Sequence, residues 1–255
     1  MPRRLANVKR MLMCAACKLA DATKKNWKID SKKTCIRDGD DKPGLGTSCD
    51  HLISHEPGLM PQVTGRLSHM KYCGVAVFTD HFSNVIFPHL ITSTSMEETM
   101  NGKIAYERFA ADHGVKVLHY RGDNMRYDEK AFTDSCIEQQ QKFDFCGVGA
   151  HHQNGIAEAK NKILTYGART LLLHAKRMWP KVIKHGLWPY AVLSTAKRHN
   201  ELALDENGDA PLEKFSGIKQ ELMCSDWHTW GCPIFVLAAE NQSGLTGTPT
   251  WEPRA

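Results

Sequence analysis

An α/β layer fold, a mixed sheet flanked by helices, follows from the order of elements along the chain. Short apolar, β-branched runs cluster between positions 48 and 91, and beyond them such runs alternate with segments of helical spacing. The resulting order is β, β, β, α, β, α, β, α. A hairpin group followed by strand and helix alternation gives a mixed sheet covered by helices.

The first strands are CDHLIS, CGVAVFTD (73–80) and SNVIFPHLI (83–91), with HFS as a tight connection between the last two. Pro88 has no N–H to give to a ladder, so its strand is expected at a sheet edge or broken there. Ser95 and Glu98 form a capping box, and Met96, Met100, Ile104, Ala105 and Phe109 keep helical spacing as far as Gly114. VKVLHYR (115–121) reads as a strand, DEKAFTDSCIEQQQ as a helix and FDFCGV as a short strand. Asn154 then caps a long helix reaching about Arg177.

Composition narrows the class of protein. The 255 residues are 42% hydrophobic and 24% charged, enough for one sizeable domain with appendages. Formal net charge is +5, which allows an acidic partner such as nucleic acid without requiring one. The basic start MPRRLANVKRMLMC lacks a signal-length apolar run, so a cytoplasmic and nuclear protein, neither secreted nor membrane-bound, is expected. Nine cysteines, an odd number, argue against a disulfide framework. Three regions are expected: a largely irregular 1–45, a catalytic-size core over 46–220, and an extension with a disordered tail over 221–255.

Three acids stand where α/β folds expose functional side chains: Asp50 in the first strand, Asp123 just past VKVLHYR, and Glu158 in the first turns of the long helix. Carboxylates without His or Cys suit hard ions such as Mg²⁺, and a pair of such ions about 3.5 to 4 Å apart serves phosphoryl transfer. The chain has 28 acids, however, and most surface acids only face water. Helical spacing puts Lys162, Thr165 and Arg169 within about 40° of Glu158, with Ile156, Ile163, Leu164 and Leu171 opposite as the core face. Lys160 points nearly away from Glu158, as a snorkelling side chain or a contact made from another side.

YRGDNMRY (120–127) resembles the Asp-Asn motif, and QNGIAEAKNK (153–162) the Asn-Gly-x-Ala-Glu motif, of retroviral-type integrase catalytic cores. The version looks like that of Copia-type (Pseudoviridae) LTR retrotransposons. The resemblance covers roughly Thr47 to Leu237 and extends to VFTDHFSN, EKAFTDSCIEQQ, LWPYAVLSTAKRHN, APLEKFSG and HTWGCPIFVL, all in order. Asp123 and Glu158 are 35 residues apart, close to the family's separation of its last two acids.

The resemblance implies a ribonuclease H-like fold with a mixed five-stranded sheet flanked by helices, and a triad of Asp50, Asp123 and Glu158 holding two Mg²⁺ or Mn²⁺ ions. It implies DNA 3′-end processing and strand transfer, DNA ends and target DNA as partners, and a homo-oligomer. Asn124, His152, Gln153 and Asn154 would line the site, with Lys162 and Arg169 beside it for nucleic-acid binding. Asp80 competes with Asp50, although in the family the corresponding aspartate is structural. Met125 stands where the family usually has glycine, a substitution costing about 1 to 3 kcal/mol if that position needs positive φ. An inactive nucleic-acid-binding remnant and a ribonuclease H-like nuclease are the alternatives.

Cys14 and Cys17 have zinc-knuckle spacing and resemble the end of the family's N-terminal zinc domain, whose histidines precede the cysteines. No histidine precedes Cys14, so a truncated remnant of that gag-pre-integrase region is expected instead of a complete Zn²⁺ site.

Overall fold

The structure, a computed structural model, describes residues 15–20, 41–61, 68–122, 130–145, 155–221 and 227–234. The strands are β1 (Thr47–Gly58), β2 (Tyr72–Asp80), β3 (Ile86–Ile91), β4 (His119–Gly122) and β5 (Lys142–Phe145). The helices are α1 (Ala15–Ala20), α2 (Met96–Asp112), α3 (Lys130–Glu138), α4 (Gly155–Met178), α5 (Trp188–Leu202) and α6 (Pro211–Ser216). They build one five-stranded sheet in the order β3-β2-β1-β4-β5. β1 to β3 pair antiparallel, whereas β4 runs parallel to both β1 and β5. The mixed α/β architecture expected from the sequence is therefore the one observed.

β2 shows how the sheet divides the interior. Side chains alternate across a strand, and Ala76 and Phe78 join a core with Tyr106, Tyr120, Phe132 and Phe215. Val75 and Val77 face the other way, into a core with Leu164, Ala168, Trp188 and Val192. On the first side Phe78 stacks on Tyr106 with ring centroids 5.2 Å apart. On the second, α4 and α5 approach closely at Gly167, where an added Cβ would lie 2.3 Å from Thr195 Cγ2. The strand carrying Pro88 is at the sheet edge, as expected, with Pro88 in register with Val77. Asn200 of α5 covers part of that edge: its Nδ2 donates to the Ile86 carbonyl at 2.8 Å and its Oδ1 accepts from the Ile86 N–H at 2.9 Å.

Within 1–45 the described residues include α1, which buries Ala16 and Ala20. Gly44 donates its N–H to Asp80 and accepts from Leu118 N–H, at φ 80°, with Lys116 O 2.3 Å from an added Cβ. The fourth strand is shorter than VKVLHYR, since the Leu118 N–H is taken by Gly44 outside the ladder.

The two long helices bury most of the faces expected, with Met96, Met100 and Phe109 packed on the first core and Leu164 and Leu171 on the second, but Ile104 and Ile163 are exposed. Ser95 caps α2 as predicted, accepting from Glu98 N–H at 3.4 Å, but the Glu98 carboxylate turns to the Thr92 hydroxyl. α2 buries Thr99, Gly102, Lys103, Tyr106 and Ala110, leaving Ile104 48% exposed. α4 buries Ala157, Lys160, Leu164 and Ala168, and Ile163 is exposed. In each helix a lysine, Lys103 in α2 and Lys160 in α4, is among the buried residues.

Lys103 is fully buried, and its Nζ donates to Glu107 Oε1 at 2.8 Å and to Ser135 Oγ at 3.1 Å. The same carboxylate oxygen accepts from Tyr120 Oη at 2.9 Å and Gln141 Nε2 at 2.7 Å. This network joins α2, α3, β4 and the approach to β5 beneath the first core.

Candidate active site

Asp50 lies four residues into β1, on the strand between β2 and β4, and is half-buried. Its Oδ1 accepts from the His51 backbone N–H at 2.8 Å, and its Oδ2 accepts from Asn161 Nδ2 at 2.8 Å. Asn161 is on α4, one helical turn after Glu158, which is exposed in the first turn of that helix. Residues three apart on a helix share a face. The bond spans 111 residues of sequence and draws the Glu158 face of α4 onto the Asp50 strand.

The third acid, Asp123, lies outside the described residues. β4 ends at Gly122, and its parallel register with β1 pairs Thr47 with Tyr120 and Ser48 with Arg121. Asp50 and Asp123 each stand two residues beyond that last pair. Asn124, Met125, His152, Gln153, Asn154 and Cys14 also fall outside the described residues.

Asp80 does not compete with Asp50 for chemistry. It is fully buried, with Oδ1 accepting from Gly44 N–H at 2.7 Å and Oδ2 from Ser83 N–H at 2.8 Å and Ser83 Oγ at 2.7 Å. These bonds close the β2–β3 turn, the structural role expected of the family's corresponding aspartate.

Lys162 is exposed on the same stripe as Glu158. Arg169, further along it, donates from Nη1 to the Ala20 carbonyl at 3.3 Å and lies 5.7 Å from the Tyr166 ring centroid. Part of that guanidinium therefore ties the end of α1 to α4. Thr165 and Arg169 border a cleft of about 420 Å³ whose wall includes Leu52, Leu172, Trp188 and Val192. The polar stripe thus changes from acid and lysine near Asp50 to an apolar cleft one helical segment later.

The sequence reading missed Asn161. Among the described residues its Oδ1 is buried without a hydrogen-bond partner, next to the Asp50 carboxylate that its Nδ2 holds. Its position three residues after Glu158 was the available signal, but a polar residue in a helix does not announce which distant strand it meets. Asp50, Glu158 and the Asn161 amide each carry oxygen donors, the kind that suits Mg²⁺ or Mn²⁺. Among the described residues no three His, Cys, Asp or Glu side chains come together as a metal site, so neither the two described acids nor the exposed Cys17 form one alone.

No family profile and no curated protein matches the chain. Among solved structures, the simian T-cell lymphotropic virus intasome in complex with the PP2A regulatory subunit B56 gamma aligns with a TM-score of 0.54 at 16% identity, over 74% of this chain and 59% of that one. This is a ribonuclease H-like fold. The HTLV-2 integrase catalytic core domain in complex with magnesium matches at 17% identity over 68% of this chain and 97% of its own, with a TM-score of 0.48. The catalytic core domain of BIV integrase matches at 11% identity over 68% and 93%, with a TM-score of 0.46. Among the described residues no helix is long and apolar enough to cross a membrane.

Proposed function

We propose that this chain is an integrase-type catalytic core of the Copia kind, a metal-dependent polynucleotidyl transferase that processes DNA 3′ ends and joins them to target DNA. The observation that carries the reading is the Asn161–Asp50 hydrogen bond, which brings the Glu158 helix onto the Asp50 strand. Asp123, two residues after the last β1–β4 pair of Ser48 and Arg121 in the sequence, is the third acid of this reading.

Asp50, Asp123 and Glu158 would hold two Mg²⁺ or Mn²⁺ ions, with the Asn161 amide oxygen as a further oxygen beside them. Bound there, the ions supply activation of the attacking oxygen and stabilisation of the leaving one at a phosphodiester. The protein's own part is orientation. Asn161 fixes one Asp50 oxygen, the β1 backbone fixes the other, and Lys162 meets the DNA phosphates from the exposed stripe. The chain would act as a homo-oligomer on element ends and target DNA.

The test is end joining with purified protein, oligonucleotide ends and Mg²⁺ or Mn²⁺. Joined products that disappear in Asp50→Asn and Glu158→Gln are expected. No joining with either metal, or joining equal to wild type in both variants, overturns the catalytic reading. Duplex binding without joining would then assign the nucleic-acid-binding remnant, and cleavage of RNA/DNA hybrids without joining the nuclease.

A further inference from the structure

Four parts of the chain enclose a second cavity, of about 410 Å³. α4 contributes Leu171 and His174, α5 contributes Arg198 and Leu202, α1 contributes Cys17, and the segment 227–230 closes it. Thr170, which also lines it, and His174 stand 12 and 16 residues after Glu158 on α4. At 100° and 1.5 Å per residue they are turned about 120° and 160° from Glu158 and are about 18 and 24 Å further along the axis. The cavity is therefore on a different flank of the helix from the carboxylates.

Packing holds its walls. Gly231, at φ 77°, seats the closing segment on α4, where an added Cβ would lie 2.8 Å from Ala175 Cβ. The Cys232 N–H donates to the Thr229 carbonyl at 3.1 Å, and Trp230 packs on the second core. α1 is tied to α4 through Arg169 and the Ala20 carbonyl, and α4 meets α5 closely at Gly167. Such a cavity is formed before any ligand enters it.

The lining sorts by chemistry. Leu171, Leu202, Trp227 and Trp230 are half-buried, whereas His174, Arg198 and His228 are exposed. Lys197 adds a cation beside them, its Nζ 5.3 Å from the Trp227 ring centroid. Among the described residues no Asp or Glu lines the cavity, and Arg198 and the two imidazoles have neither a hydrogen bond nor an ion pair. A half-buried aromatic wall suits a planar ring that stacks on tryptophan. An exposed guanidinium with no acid in the same lining suits a phosphate. The volume falls in the range of about 300 to 1,000 Å³ usual for small-ligand sites.

We propose that this cavity binds one nucleotide, with its base against the tryptophan wall and its phosphate on Arg198. The nucleotide is free or is one unit of a single strand, and the same groups recognise both. Asp50, Glu158 and Asn161 do not line the cavity, so the site is separate from the proposed end-joining chemistry and needs no divalent metal.

Cys17, exposed and in the lining, serves as reporter, and Cys232, exposed and outside the lining, as reference. The full chain in EDTA is alkylated with iodoacetamide, alone or with deoxyadenosine monophosphate or a short oligodeoxyadenylate, and both cysteines are followed by peptide mass spectrometry. Titration calorimetry gives the affinity for each probe. Slower alkylation of Cys17 with Cys232 unchanged is expected, together with binding weaker by about 10-fold or more in Arg198→Ala and in Trp227→Ala. Arg198→Ala, at an exposed position, keeps the test decisive if Trp227→Ala does not fold. Protection by the mononucleotide alone assigns a free nucleotide, protection by the oligonucleotide alone assigns a strand, and protection by both assigns the shared recognition. Deoxyadenosine or inorganic phosphate protecting as well as the nucleotide overturns the pairing of ring and phosphate. Unchanged Cys17 alkylation with both probes, or affinity equal to wild type in the variants, overturns the site. Loss of joining in Asp50→Asn with Cys17 protection intact leaves the site standing, and a joining-inactive wild type with that protection removes only the catalytic reading.

Discussion

Asn161→Leu separates what Asn161 does for stability from what it does for the carboxylates. The substitution removes the Asn161 Nδ2 to Asp50 Oδ2 bond of 2.8 Å, and a hydrogen bond to a charged group is worth about 1.5 to 3 kcal/mol. It also removes the buried, unpartnered Oδ1, and an unsatisfied buried polar atom costs about 1 to 3 kcal/mol. The two effects oppose each other. Asp50 is half-buried, so water compensates it in part, and the net change in stability is expected within about 1 kcal/mol, or about 2 to 4 °C in a domain of this size. Metal affinity has no such compensation. An outer residue that orients a ligating carboxylate is typically worth 10- to 100-fold in metal affinity. Differential scanning calorimetry gives the first quantity, and isothermal titration with Mn²⁺ gives the second. Wild-type Mn²⁺ affinity in Asn161→Leu would refute the reasoning, as would a destabilisation above about 3 kcal/mol, which would make Asn161 a structural tie alone. Asn161→Asp adds a charge beside Asp50, and Mn²⁺ is expected to raise its midpoint more than that of wild type.

Lys103→Met strands the Glu107 carboxylate with only neutral donors, so a loss of about 3 to 5 kcal/mol is expected in urea unfolding. The double variant Lys103→Met/Glu107→Gln should recover part of that loss, and strict additivity in the double-mutant cycle would contradict the network. His199 is held down to about 4, first by burial and then by Lys160, against the pull of the Asn84 carbonyl. The unfolded chain therefore takes up the proton first, so this contribution to stability is present above about pH 6.5 and is lost as pH falls toward 4. In phosphate-free buffer the wild-type urea midpoint should fall across that window more than that of His199→Gln, and parallel curves would count against it.

The elements were legible where a local rule fixes them. Pro88 lacks a ladder donor and is on the edge strand, Ser95 offers its hydroxyl to a helix N-terminus, and the apolar, β-branched run along 73–80 gives a strand buried on both faces. Helix faces were less legible. An amphipathic pattern sorts residues by polarity, and a lysine scores as polar even when its four-carbon stem fills an interior position, as Lys103 and Lys160 do. Asp80 shows the reverse case, since its environment is a turn three residues away and its structural role could be anticipated from its own neighbourhood.

By itself the sequence determined the strand and helix order, the edge position of β3 and the candidacy of Asp50 and Glu158, because each depends on residues within a few positions of one another. Tertiary structure decided that Asp50 is held by Asn161 across 111 residues and that Lys160 turns inward on α4. Those outcomes depend on which strand a helix lies against, and a hydrogen bond or a buried position between distant segments leaves no period or local spacing in the chain.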